Sequence, residues 1–317
     1  MGEEFQLAQL VDTSNSEATL KEVLYISALM DPDFQNGPFI DVFSDIKRLF
    51  NGCYPGYHAC NTEYHDFDHT CAVMLAMSRL MHGAFLTGLL FSGREINMGI
   101  IAALMHDTGY IQELVDHDGT GAKHTLTHIE RSVDFLRDYY KKDSTYDAGN
   151  MKDFASILHC TGLTAKVIEM DFSSEKMVVI GKMLGTADLV GQMAGRLYPE
   201  KLLFLYREFV EGGVSQFKSE WDLLQQTIGF SEWTKQRLAG EFGGVDGYMI
   251  HHFRNRWDID ADLYREGIRR NIDYIRDVLS RHPDDFIEYL RRGRLNERIF
   301  VNGTGSGKRS NSKRPSR

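Results

Sequence analysis

Seven residues, YHDFDHT at 64–70, set His65 and His69 four apart with Asp66 and Asp68 among them. A solvated helix face could tolerate these residues. A metal site with a proton donor beside it would require something like them. Further along, polar residues stand where apolar ones belong. His106 and Asp107 end the run GIIAALMHD, His128 lies in the first turns of a helical stretch at 122–140, and His159 ends FASILHC. Asp188 continues the three- and four-residue spacing of Met177, Gly181 and Leu184. A buried carboxylate without a partner is costly, so Asp188 needs a cation or strong donors. Imidazole and carboxylate together suit Zn, Fe, Mn or Mg. The set His69, His106, Asp107, His128, His159 and Asp188 therefore predicts a metal site.

The elements that must carry these residues read as helices. Apolar residues recur at helical spacing over 17–30, 40–50, 124–140, 173–193 and 263–282, with Pro283 as a stop. The stretch 96–109 is nearly all apolar up to Gly109, as in a buried central helix. No sustained alternation of period two and no internal repeat occurs, so the fold class expected is all-α. Breaks at 51–56, 116–121, 161–164 and 211–214 are too short for linkers. One domain is expected over 20–300, between an N-terminal segment 1–19 and a tail 301–317.

Bulk properties narrow the setting. The 317 residues are 42% hydrophobic and 26% charged, as in an ordinary globular protein. No secretory signal opens the chain, FLTGLLF at 85–91 is too short to span a bilayer, and the four cysteines form no C-x-x-C pair. These features predict a cytoplasmic protein without a membrane partner. Net charge is −9, and the last sixteen residues hold five basic residues and no acid, which leaves −14 on residues 1–301. Such a body is a poor partner for nucleic acid. The Gly/Ser-rich basic tail predicts disorder.

The order His69, His106-Asp107, Asp188 resembles the HD-domain metal-dependent phosphohydrolases, and within them the cyclic nucleotide phosphodiesterases. YHDFDHT resembles their Y-H-N-x-x-H-A motif, and IAALMHDTG their apolar stretch ending in H-D. TADL (186–189) resembles their A-D-L, and YREFVEGG (206–213) their E-F-x-x-Q-G. The likeness spans roughly 57–230, with H-D following the two-histidine motif after 38 residues. It implies a helical bundle around a metal site. His69, His106, Asp107 and Asp188 would bind a first divalent ion (Fe, Mn, Zn or Mg), Asp107 would bridge to a second, and His65 would protonate the leaving oxygen. Spacing of four would put His65 and His69 on one helix face. Asp66 or Asp68 would orient His65, and Tyr64 would belong to the same motif.

The chain also departs from the family pattern. The motif asparagine is Asp66 here, Tyr110 stands near the place of a further histidine, and Asp107 to Asp188 is a short interval of 81 residues. His128, four before Ser132, resembles a family histidine four before a glycine. His159 resembles a ligand of HD proteins with two metals and six protein ligands, such as the HD-GYP phosphodiesterases and the mixed-valent di-iron oxygenases; with His128 it would hold the second ion. The purine-binding glutamine and aromatic clamp have an echo in Gln226 and Phe230. The expected function is hydrolysis of a phosphodiester of a (cyclic) nucleotide by metal-activated water, in a protein that could form a homodimer. The alternatives are a mixed-valent di-iron oxygenase and a non-catalytic nucleotide-sensing HD module.

Overall fold

The computed structural model describes residues 5–141 and 145–295; the expected tail 301–317 lies outside them. The described residues are helical as expected, with one isolated antiparallel bridge, Tyr57 to Glu113, and no named strand. The α-helices are α1 (Leu7–Leu10), α2 (Ser16–Met30), α3 (Asn36–Phe50), α4 (Phe67–Leu86), α5 (Gly93–Met105), α6 (His128–Tyr140), α7 (Ala148–His159), α8 (Glu175–Met193), α9 (Tyr198–Glu211), α10 (Glu220–Ala239), α11 (Met249–Trp257), α12 (Leu263–Arg281) and α13 (Phe286–Tyr289). No helix among the described residues is long and apolar enough to cross a membrane. The cysteines are all free.

Helix α4 is the hub: it packs against α2, α5, α8 and α11, and every residue from Val73 to Ala84 is buried. Its start is fixed by Asp66, whose carboxylate accepts from the His69 amide (2.9 Å), as an N-cap acid should. Helix α5 is buried without interruption from Met98 to Met105, and Ser92 with Glu95 closes a capping box at its start. Truncating Ile100 or Leu104 there costs about 2–5 kcal/mol.

Two apolar cores result. The larger is built mainly on α2 to α8 and α11, and the smaller mainly on α9, α10 and α12. The candidate residues lie where the two meet: Tyr64 belongs to the smaller core, while the α4 face beyond His69 belongs to the larger.

The loop after α5 is held by α6. Ser132 Oγ donates to His106 O (2.6 Å) and accepts from Gly109 N (2.9 Å), while Arg131 donates to Gly109 O (2.7 Å) and Ile111 O (3.0 Å). The approach is so close that a Cβ on Gly109 would lie 1.9 Å from His128 O. Glycine at 109 is what lets His128 reach the end of α5. The expected helix at 124–140 accordingly starts only at His128, after a 3-10 turn, Gly121–His124.

Candidate metal centre

Two helices and the end of a third bring four of the expected ligands together. His69 sits in the first turn of α4, His106 caps the C-terminus of α5 with Asp107 next, and Asp188 is on α8. His69 Nε2 and His106 Nε2 are 3.2 Å apart. Asp107 Oδ2 lies 3.1 Å from each, and Asp188 Oδ1 lies 3.4 Å from His69 Nε2 and 3.7 Å from His106 Nε2.

This set fits a divalent ion. Bonds of about 2.1 Å at octahedral or tetrahedral angles put neighbouring ligand atoms roughly 3.0–3.4 Å apart. His106 Nδ1 donates to Ala103 O (2.8 Å), which leaves the Nε2 lone pair pointing at the cluster, the tautomer a metal needs. Asp107 Oδ2 is buried without a hydrogen-bond partner, although buried carboxylate oxygens are almost always satisfied. A cation among these four atoms removes that deficit.

The electrostatics agree. Burial alone would lower the His69 and His106 pKa values, but Asp107 and Asp188 overcome it and raise both. Burial would raise Asp107 and Asp188, but the facing imidazoles hold both below the ordinary carboxylate value. The pocket therefore favours ionised carboxylates and rewards positive charge between them.

The remaining candidates divide. His128 Nδ1 donates to Thr125 O (2.7 Å), so its Nε2 lone pair faces Asp107 Oδ1 at 3.8 Å. Burial pushes its pKa down, which keeps it neutral and able to ligate. His159 is not brought to the cluster. Its Nδ1 faces Ala155 O (2.6 Å) and its Nε2 faces Glu130 Oε1 (2.7 Å), at the protein surface. Both ring nitrogens are thus engaged by protein oxygens. The reason is local: α6 places Glu130 two residues beyond His128, and its carboxylate meets His159 first.

His65 is beside the cluster without joining it. It does not share the α4 face with His69, contrary to expectation. It precedes the Asp66 N-cap and lies in the entry loop, with its ring 5.8 Å from that of His69. Its Nδ1 meets Glu208 Oε2 at 2.6 Å. Its ring stacks on Tyr110 (4.3 Å), which stacks in turn on His128 (4.5 Å). The carboxylate that His65 meets is thus Glu208 of α9, not Asp66 or Asp68. Asp66 is used in capping α4 and in an ion pair with Lys201 (2.7 Å). Asp68 is an exposed-side acid of the first turn whose pKa is raised by its own desolvation and by Asp66.

Tyr64 is buried. Its amide donates to Glu208 Oε1 (2.7 Å), and its hydroxyl donates to Gln192 Oε1. Gln192 Nε2 in turn donates to Asp188 Oδ1 (3.1 Å). One network therefore links Glu208, Tyr64, Gln192 and Asp188 of the cluster. Sequence reasoning assigned no role to Glu208, Gln192 or Tyr110. Glu208 stands inside the quoted EF stretch, and Gln192 stands one helical turn after Asp188. Those positions were the available signals.

Gln226 and Phe230, the echo of a base clamp, have other partners in the fold. Gln226 is exposed and donates to Asp222 (2.9 Å), one turn back on α10. Phe230 stacks on Trp233 (5.2 Å). Glutamine and phenylalanine four apart serve here as a helix-surface bond and a core contact. Compared with models of protein families and with curated proteins, the chain matches none.

Proposed function

We propose that this protein is a metal-dependent phosphohydrolase of the HD-domain type that cleaves a phosphodiester. The observation that carries the reading is the position of His65. It is an imidazole anchored by a buried carboxylate at 2.6 Å, next to two histidines and two aspartates converging on one point.

His69, His106, Asp107 and Asp188 would hold the ion, and Asp107 Oδ1 with His128 offers a place for a second. A divalent ion supplies Lewis acidity, which polarises phosphoryl oxygens and acidifies water. The protein supplies the rest. His106 and His128 are held in the ligating tautomer by backbone carbonyls. Gln192 orients Asp188. Glu208 fixes His65 through Nδ1, so Nε2 is the atom left to give a proton to the departing alkoxide. The Tyr110 stack keeps that ring in plane. A positioned general acid contributes about 10²–10⁴-fold. With Gln226 bonded to Asp222 and Phe230 stacked on Trp233, the reading rests on the phosphodiester and not on a particular base.

The test is a purified, anaerobically handled protein assayed for bound metals and for release of alcohol from cyclic mononucleotides, cyclic dinucleotides and simple phosphodiesters, with Mn or Fe added. Hydrolysis in the wild type, lost together with metal in Asp107→Ala, is the expected result. A metal-loaded protein that consumes oxygen and cleaves no phosphoester would overturn it.

A further inference from the structure

We infer that a second cavity, outside the metal centre, binds a small multiply charged anion of the phosphate class. It has a volume of about 300 Å³ and lies between α1, α4, α8 and α12. Its defining residue is Arg79, in the middle of α4 and only 1% exposed. Arg79 Nη1 donates to Tyr264 Oη (3.0 Å), and the guanidinium lies 5.3 Å and 5.7 Å from the ring centres of Phe253 and Tyr264. Its Nε and Nη2 are buried with no acceptor. An unpaired buried charge costs several kcal/mol, so native proteins provide a counter-charge. None is provided here by the described residues.

The rest of the lining has the same sign. Arg196, Arg270 and Arg292 share the cavity, and no acidic residue is among its described lining residues. Arg270 has an ion-pair partner in Glu266 (3.7 Å) behind it, and Arg292 donates to Asn271 Oδ1 (2.7 Å) and Arg196 O (3.1 Å). Those contacts fix the arginines without neutralising Arg79. Arg270 is met by Glu266 and the Arg292 amide by Glu200 (3.0 Å), so Arg79 and Arg196 are the two guanidinium groups of the cavity with no acidic partner among the described residues. One carboxylate would balance only one of them. A phosphate group carries up to two charges and several acceptor oxygens that match guanidinium forks. The wall on the α8 and α12 side is kept small: a Cβ on Gly267 would come within 2.9 Å of Ala194 O. The space accepts a phosphate, a pyrophosphate or a small phosphate ester.

The site is separate from the catalytic reading, so the two can fail independently. Calorimetric titrations with inorganic phosphate, pyrophosphate and citrate would use the full chain as wild type, Asp107→Ala and Arg79→Met. The proposal expects phosphate or pyrophosphate to bind wild type and Asp107→Ala alike, and at least tenfold more weakly to Arg79→Met. Methionine fills similar space without charge. Should that variant not fold by circular dichroism, Arg196→Ala at the same cavity must show the loss. Absence of binding to Asp107→Ala, or full binding to Arg79→Met, overturns the inference, because phosphate would then sit at the metal centre. Citrate binding more tightly than either phosphate overturns the ligand class. Binding that appears only after Glu3→Gln and Glu4→Gln shows that the chain's own acids fill the cavity, and also overturns it.

Discussion

Two histidine–carboxylate pairs in this protein have almost the same length and opposite surroundings. His65 meets Glu208 at 2.6 Å with side chains 13% and 6% exposed, whereas His159 meets Glu130 at 2.7 Å with side chains 37% and 70% exposed. The first pair is locked by a ring stack and by the Tyr64 amide on the same carboxylate. The second is open to water, where ion pairs contribute about 0–1 kcal/mol. Distance alone does not separate a buried pair from a surface one. Burial and the partners of the carboxylate do.

Mutation at the buried pair gives the largest expected effects. His65→Ala should keep its metal and its fold and lose about 10²–10⁴ in turnover on alkyl phosphodiesters. Nitrophenyl esters should be affected far less, because that oxygen leaves without a proton. Equal slowing of both substrates, or an emptied metal site, would refute the proton-donor assignment. Glu208→Gln keeps the shape but removes the charge facing Nδ1. About a 10–100-fold loss is expected, as for other residues that orient a site from behind. A measured kcat for that variant within twofold of wild type would remove Glu208 from the mechanism.

The exposed pair should answer weakly. Glu130→Gln is expected to change stability by about 0–1 kcal/mol and to leave metal content alone, as judged by denaturant titration and elemental analysis. His159→Ala sharpens the comparison further. If it lowers the metal stoichiometry, His159 leaves Glu130 to ligate when ions are present, and the six-ligand expectation is restored.

A third pair extends the contrast. His82 Nδ1 faces His252 Nδ1 at 3.0 Å, both buried and without a carboxylate between them. His252 is fully enclosed in the fold. Burial, with Arg256 nearby, lowers His82 to about 4, and burial with Arg79 lowers His252. The folded state thus refuses protons that the unfolded chain accepts. The stability from these histidines is present above the ordinary value of about 6.5 and is lost as pH falls towards the His82 value of about 4. Melting temperatures recorded across that window should fall less steeply in His82→Gln than in wild type. Identical slopes would show that the pair does not titrate with unfolding.

Residue type and spacing carried much of the outcome before any fold was known. The all-helical class follows from apolar spacing on α2, α3, α5, α8 and α12. His106, Asp107 and Asp188 were legible because each interrupts an apolar run, and a polar group in such a run must find a partner. Arg79 carried the same signal, a lone charge inside AVMLAMSRLMHGAF, and its cavity could have been suspected from it. What no local pattern could supply is the identity of the partner. Glu208 reaches Tyr64 and His65 across 144 and 143 residues, and Glu130 captures His159 only because α6 and α7 pack side by side. The same spacing that suggested one face for His65 and His69 was broken by an N-cap at Asp66. Sequence determined which residues could not be left alone, since burial cost is a property of the side chain. Tertiary structure decided which neighbour met that need, since that depends on how the helices cross.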